Sequence, residues 1–124
     1  MSSHSAEIPA RPARIEQFID QFLTAICDSS RRHILEYLTG SSENASPALE
    51  RSVGEIAQHL GLALSTTSEH LKQLLHMHLL LARRDGKKTY YRLRNHELVS
   101  TFHALIASLE MHYHSNMLPP VIDD

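Results

Sequence analysis

The sequence predicts a mainly α-helical domain that carries one small β-hairpin, and three observations predict it. Both ends of the chain hold long stretches with an apolar period near 3.6 residues, two short capped helical segments meet at a glycine in the middle, and the pattern turns to alternation around Asp85-Gly86. With 124 residues, 42% hydrophobic content and no Trp, the chain supports one compact core and leaves little room for two. No apolar run approaches a membrane span, and residues 1–14 lack the apolar centre of a secretory signal, so a cytoplasmic protein is expected. The single cysteine, Cys27, excludes a disulfide within the chain and any paired-thiol site, and reads as a small apolar residue near a helix end.

Residues 1–13, with Pro9 and Pro12 among small polar residues, read as a disordered arm. Helix α1 follows, because Ile15, Phe18, Ile19, Phe22, Leu23 and Ile26 repeat at helical spacing on one broad face. Asp28, Ser29 and Ser30 offer N-cap chemistry for α2, which buries Ile34, Leu35 and Leu38, leaves Arg31 and Arg32 exposed, and stops at Gly40. Residues 40–51 are polar, contain Pro47 and show no period, which marks a loop. Ser52 opens α3 with Glu55 three residues on, the spacing of a capping box, and Gly61 ends it. After Leu62-Ala63-Leu64, α4 starts at Ser65 or Thr66 and buries Leu71, Leu74 and Leu75. Two short helices across a glycine turn form a helix-turn-helix.

Residues 79–84 and 88–93 alternate as strands around Asp85-Gly86, a strong hairpin signal. A hairpin directly after a helix-turn-helix is a wing, so the expected fold is a winged helix-turn-helix of order α1-α2-α3-α4-β-β-α5. Helix α5 runs from Asn95 to about Asn116, with Leu98, Phe102, Leu105, Leu109 and Tyr113 on one side. The domain thus spans residues 14–116, and residues 117–124 form a flexible acidic tail. Both terminal helices have wider apolar faces than so small a domain can bury, which argues for a partner.

The net charge of −2 conceals an asymmetry: residues 51–95 carry eight basic and three acidic side chains, net +5, which leaves −7 for the remainder. A basic stripe on an acidic molecule orients it toward a polyanion. A recognition helix needs short polar side chains in its first turns, so that the backbone can approach the major-groove floor. Ser65, Thr66, Thr67 and Ser68 meet that need, with His70 and Gln73 one turn on and Lys72 within reach of a phosphate. Thr66 and Glu69 could instead serve as a second capping box. Arg83, Arg84, Lys87 and Lys88 crowd the hairpin tip and, with Arg92, suit the phosphate backbone. Tyr90 and Tyr91 point to opposite faces, one inward and one free, and the sequence leaves open which is which.

Three stretches, DSSRRHIL at 28–35, STTSEHLK at 65–72 and RRDGKKTYYRL at 83–93, together resemble the ArsR/SmtB family of bacterial winged-helix repressors over roughly residues 15–115. Ser29 stands where that family usually has Pro, and the loop before Ser52 is longer than its norm. The resemblance implies a homodimer built from the first and last helices that blocks a promoter until an effector binds. Such a dimer reads a pseudo-palindromic operator with half-sites roughly 34 Å apart.

Ten histidines invite a metal. On α5, His103, Glu110 and His114 fall within about 40° of one another at helical phase. His103 and His114 stand about 16 Å apart along the axis, so one ion could join them only across two antiparallel chains. The placement resembles half of the family's zinc-sensor pattern, with Thr101 and Met117 at its other positions, and Zn²⁺ or Ni²⁺ would suit the ligands. Ser2-Ser3-His4 with a freed amine is a further Cu²⁺ or Ni²⁺ candidate. The rival reading is a winged-helix module that binds protein instead of DNA; no HExxH, Gly-rich phosphate loop or nucleophile with an adjacent base suggests an enzyme.

Overall fold

The computed structural model describes residues 10–39, 50–94 and 96–117. The expectations for the first nine residues, including Ser2-Ser3-His4, for most of the 40–51 loop and for the tail after Met117 lie outside them. Five α-helices and a small sheet follow in the order α1 (Ala13–Ile26), α2 (Ser29–Thr39), β1 (Arg51–Ser52), α3 (Val53–Leu60), α4 (Leu64–His76), β2 (Leu80–Asp85), β3 (Lys88–Leu93) and α5 (His96–His112). The expected winged helix-turn-helix is the fold.

The α1–α2 corner is built by arginines. Asp28 accepts from the Arg31 backbone N–H at 3.1 Å, as an N-cap side chain should. Arg31 Nε donates to the Ala25 carbonyl, and Arg32 Nη1 donates to those of Ile26 and Cys27 at 3.0 and 2.7 Å. These are the carbonyls that the end of α1 leaves without intrahelical partners. Arg31 and Arg32, expected to be exposed, are therefore half-buried, while Cys27 at the same corner is exposed.

The α3 signals hold in detail. Ser52 accepts from Glu55 N at 3.2 Å and its own N–H donates to Glu55 Oε1 at 2.9 Å, a complete capping box. Gly61 closes the helix at φ 71°, with Leu62 N–H reaching back to the Ala57 carbonyl. Helix α4 ends in the same way, but His78 takes the left-handed position at φ 61° and Leu79 N–H returns to the Leu74 carbonyl. A non-glycine residue in that conformation carries a steric cost, so no glycine marked this end in the sequence.

The sheet has three antiparallel strands in the order β1-β3-β2. The expected hairpin had two: Arg51 and Ser52, read as loop end and cap, also pair with Tyr91 and Tyr90. A two-residue strand is too short to show alternation. The turn also sits one residue later than expected, because Asp85 pairs with Lys88 and the loop is Gly86-Lys87. Of these only Gly86 has positive φ, 65°, the position at which a type II′ turn requires glycine.

The core joins the five helices to β2 and β3: Ile26, Ile34, Leu35, Leu38, Ile56, Leu71, Leu74, Leu79, Leu80, Leu93 and Val99 are buried together. Each such side chain contributes about 1.5–3 kcal/mol of transfer free energy. The terminal helices contribute little to it. Only Ala25 and Ile26 of α1 and Val99 of α5 are buried, while Ile15, Phe18, Leu23, Leu105, Leu109 and Met111 remain exposed. After His112 the last helix widens into a π-helical turn, Tyr113–Met117, where an unbroken α-helix was expected. No helix among the described residues is long and apolar enough to cross a membrane.

Candidate nucleic-acid interface

Helix α4 begins at Leu64, one residue before the expected Ser65 or Thr66, with Ala63 as its N-cap and no side-chain cap bond. The starting residue sets the helical phase. Ser65, Thr66, Ser68 and Glu69 are exposed, whereas Thr67 is fully buried and its hydroxyl donates to the Ala63 carbonyl at 2.9 Å. Thr67 was expected among the base-reading residues, and its burial withdraws it: it fastens the first turn from inside. The second capping box from Thr66 to Glu69 is absent too, because Thr66 lies inside the helix.

His70, also expected to reach DNA, turns toward the α1–α2 corner. Its Nδ1 lies 3.3 Å from Arg31 Nη1 and 4.0 Å from Asp28 Oδ1, and its side chain is 15% exposed. Since guanidinium only donates, Nδ1 accepts, and a neutral ring carries its proton on Nε2. Burial alone would raise the Asp28 carboxyl, but the Arg31 backbone N–H, with the Arg31 charge behind it, outweighs burial and holds Asp28 below its usual value. The corner thus locks α4 to the preceding helices. Lys72 and Gln73 are exposed. Lys72 Nζ sits 3.5 Å from Glu69 Oε2, a solvated pair of small energy. Gln73 lines an open cleft of about 370 Å³ with Asp20, Gln21, Thr24, Arg31 and His76.

The strand register sorts the wing cations. Directly paired residues share a face, so Arg83 with Tyr90 and Lys88 with Asp85 lie on one side, with Arg92 on the same side of β3. Arg84 pairs with Thr89 on the other, and its Nε donates to the Gly86 carbonyl at 3.1 Å. The question of the two tyrosines is settled here: Tyr91 packs against the core, and Tyr90 lies outward beneath the Arg83 guanidinium, 5.1 Å from ring centroid to Cζ. Lys87 and Lys88 are exposed and form no ion pair among the described residues.

Glu50, hidden in a stretch read as loop, was missed. It takes Arg83 in a forked contact, Oε1 to Nη2 at 2.9 Å and Oε2 to Nε at 3.2 Å, and lies 3.7 Å from Arg92 Nε. The Arg83 hydrogen bonds hold the Glu50 carboxyl below its ordinary value against partial desolvation, helped by the charges of Arg83 and Arg92. Arg51, counted in the basic stripe, lies over the Tyr37 ring at 4.9 Å, and Tyr37 in turn stacks on His59 at 3.9 Å. It is half-buried and adds little to the outer charge. A period-2 continuation of β1 by one residue would have set Glu50 opposite Arg92, but nothing in the sequence announces β1.

The metal candidates stay apart. Among the described residues of one chain, no three His, Cys, Asp or Glu side chains come together as a metal site. Glu110 and His114 are exposed, while His103 is half-buried with Nε2 buried and without a hydrogen-bond partner among the described residues. His114 sits in the π-helical turn, so the shared face reckoned for an unbroken α-helix does not carry through to it.

Residues 28–80 match the model of a family described as bacterial regulatory protein, arsR family. A crystal structure of a possible transcriptional regulatory protein from Mycobacterium bovis, a fragment of residues 1–100, is 30% identical, covers 81% of this chain and 98% of its own, and superposes with a TM-score of 0.66. The solution structure of Mb0332 from the same organism, described as a homodimeric winged helix-turn-helix DNA-binding domain and a possible ArsR-family regulator, is 27% identical over 94% of this chain and 95% of its own, with a TM-score of 0.67. NolR from Sinorhizobium fredii is 27% identical over 82% and 94%, with a TM-score of 0.65. No curated protein sequence matches. The buried Thr67, Leu71 and Leu74 face of α4, the wing beside it and these likenesses agree: the chain belongs to the arsR family of bacterial regulatory proteins and has the winged helix-turn-helix fold.

Proposed function

We propose that this regulator is a cytoplasmic, sequence-specific DNA-binding repressor that binds a pseudo-palindromic operator as a homodimer through α1 and α5. The observation that carries this reading is the outer surface of α4. Ser65, Thr66 and Ser68 stand exposed on a helix whose opposite face is rigidly buried, and α4 runs on into the basic wing through β2. Short polar side chains there can meet base edges, with Lys72 and Gln73 beside them. Arg83, Arg84, Lys87, Lys88 and Arg92 supply the phosphate contacts that fix register without reading sequence. In this reading His70 acts through Nε2 or through the posture of α4.

Support for the homodimer is twofold: the apolar side chains left exposed on both terminal helices, and the dimeric state described for the Mycobacterium bovis relative. Replacing Lys87 and Lys88 together by Ala tests the DNA reading. Affinity for the promoter duplex of its own gene and for an unrelated duplex is expected to fall alike, and the salt slope of binding to flatten by about two, one for each lost phosphate contact. An unchanged slope would remove the wing from the interface. Failure of the native chain to bind any duplex would favour the protein-binding module.

Release by Zn²⁺ or Ni²⁺ is the effector reading. The described residues of one chain do not assemble the ligands, so the ion would need His103 of one chain beside His114 of its partner, with Glu110 or water completing the set. Promoter affinity followed by anisotropy with Zn²⁺, Ni²⁺ or chelator should then change in the native dimer and stay constant in the H103A/H114A double variant. Equal native affinity under all three conditions would end the metal-sensor reading.

A further inference from the structure

The wing cations fall into two tiers. At the tip, Lys87 and Lys88 are exposed and form no ion pair among the described residues. At the base, Arg83 and Arg92 are already engaged by a carboxylate of the same chain. Glu50 Oε1 accepts from Arg83 Nη2 at 2.9 Å and Nε at 3.3 Å, Oε2 accepts from Nε at 3.2 Å, and Arg92 Nε stands 3.7 Å from Oε2. Asp85 Oδ2 adds a second carboxylate 3.6 Å from Arg83 Nη1.

The edge of Arg83 that Glu50 takes, Nε with Nη2, is one that a phosphate group takes when guanidinium binds it through two parallel hydrogen bonds. Carboxylate and phosphate cannot both have it. The contact is also set up to persist: Tyr90 lies under the guanidinium, and the Glu50 side chain is 24% exposed against 53% for Arg83.

We propose that Glu50 is a specificity-determining residue, a phosphate competitor that occupies Arg83 and Arg92 in the free protein and withholds them from DNA bound through its backbone alone. The proposal rests on the DNA-binding reading above. A duplex of arbitrary sequence meets the cations that Glu50 does not hold, Lys72, Arg84 and the tip lysines, and whatever fraction of Arg83 and Arg92 escapes the clamp. A duplex whose bases also satisfy α4 gains enough from those contacts to exchange Glu50 for phosphate. The acidic residue therefore lowers affinity for every duplex but lowers it most where phosphate is all that is read, which raises the ratio of specific to nonspecific binding. It also makes use of the chain's uneven charge, since Glu50 lies just outside the basic stretch that it restrains.

The opposing reading makes Glu50 a staple that ties the start of β1 to the wing and holds both arginines where DNA needs them. Glu50→Gln and Glu50→Ala separate the two, measured by anisotropy against a duplex of arbitrary sequence over a series of salt concentrations, with thermal melting as the control for folding. Under the proposal both variants bind that duplex roughly threefold to tenfold more tightly than the native chain, with a salt slope steeper by about one to two. Adding Arg83→Ala to Glu50→Gln cancels most of the gain. Equal or weaker binding by both variants, with melting unchanged, would overturn the proposal and leave the staple. Absence of duplex binding by the native chain would instead overturn the DNA-binding reading, and this inference with it.

Discussion

Leu71→Ala is expected to cost about 3 kcal/mol of folding stability, the middle of the range for a fully buried leucine truncated to alanine. Leu71 is completely buried on the inner face of α4, between Thr67 and Leu74, which are equally buried, and it belongs to the core that α2, α3 and the sheet share. For a domain of about 100 residues each kcal/mol moves the midpoint by roughly 4–8 °C, so thermal unfolding at fixed protein concentration should shift down by roughly 12–24 °C. The functional consequence follows from the same packing. The outer face of α4 can read bases only if its inner face fixes the helix relative to the wing, so promoter affinity should fall even below the new midpoint. A loss under about 1 kcal/mol would show that α4 is not fastened as described.

The second large effect concerns assembly. Leu105 and Leu109 are each 53% exposed on α5, one turn apart, in a helix that buries only Val99 among the described residues. Replacing both by Glu puts two carboxylates where the proposed dimer needs apolar contact, and burying an unpaired charge costs more than such an interface returns. The double variant should sediment as a monomer with its helical circular dichroism retained, since neither leucine supports the core. Its operator affinity should fall by about 10² to 10⁴, the avidity lost when two linked half-site contacts become one. A variant that remains dimeric at micromolar concentration would remove these positions from the interface.

Much of this was legible from single residues. The Ser52–Glu55 capping box, the stop at Gly61 and the apolar faces of α2 and α3 rest on interactions within about four residues, and local spacing reports such interactions faithfully. The stop at His78 was not legible, because its left-handed backbone is imposed by the run from α4 into β2 and not favoured by the residue itself. Strand β1 was not legible either: two residues show no period, and what makes them a strand is the free edge of β3 some forty residues later.

The site divides along the same line. Sequence placed Ser65, Thr66 and Ser68 on a helix start and the basic residues on a hairpin, since both depend on chemistry that neighbours share. It could not see that a helix beginning one residue earlier buries Thr67, nor that His70 would turn to Arg31 and Asp28 across thirty-nine residues of chain. Nor could it see that Glu50 would neutralise Arg83 from a distance of thirty-three.

The sequence by itself determined the order of the five helices and the two hairpin strands, the family to which they belong and the sign of the charge on the wing. Only the tertiary structure decided which polar side chains are free and which are already engaged. The physical reason is that helical phase, caps and turns are set by contacts between near neighbours, whereas the availability of a hydroxyl, an imidazole or a guanidinium depends on partners that folding alone brings within hydrogen-bond reach.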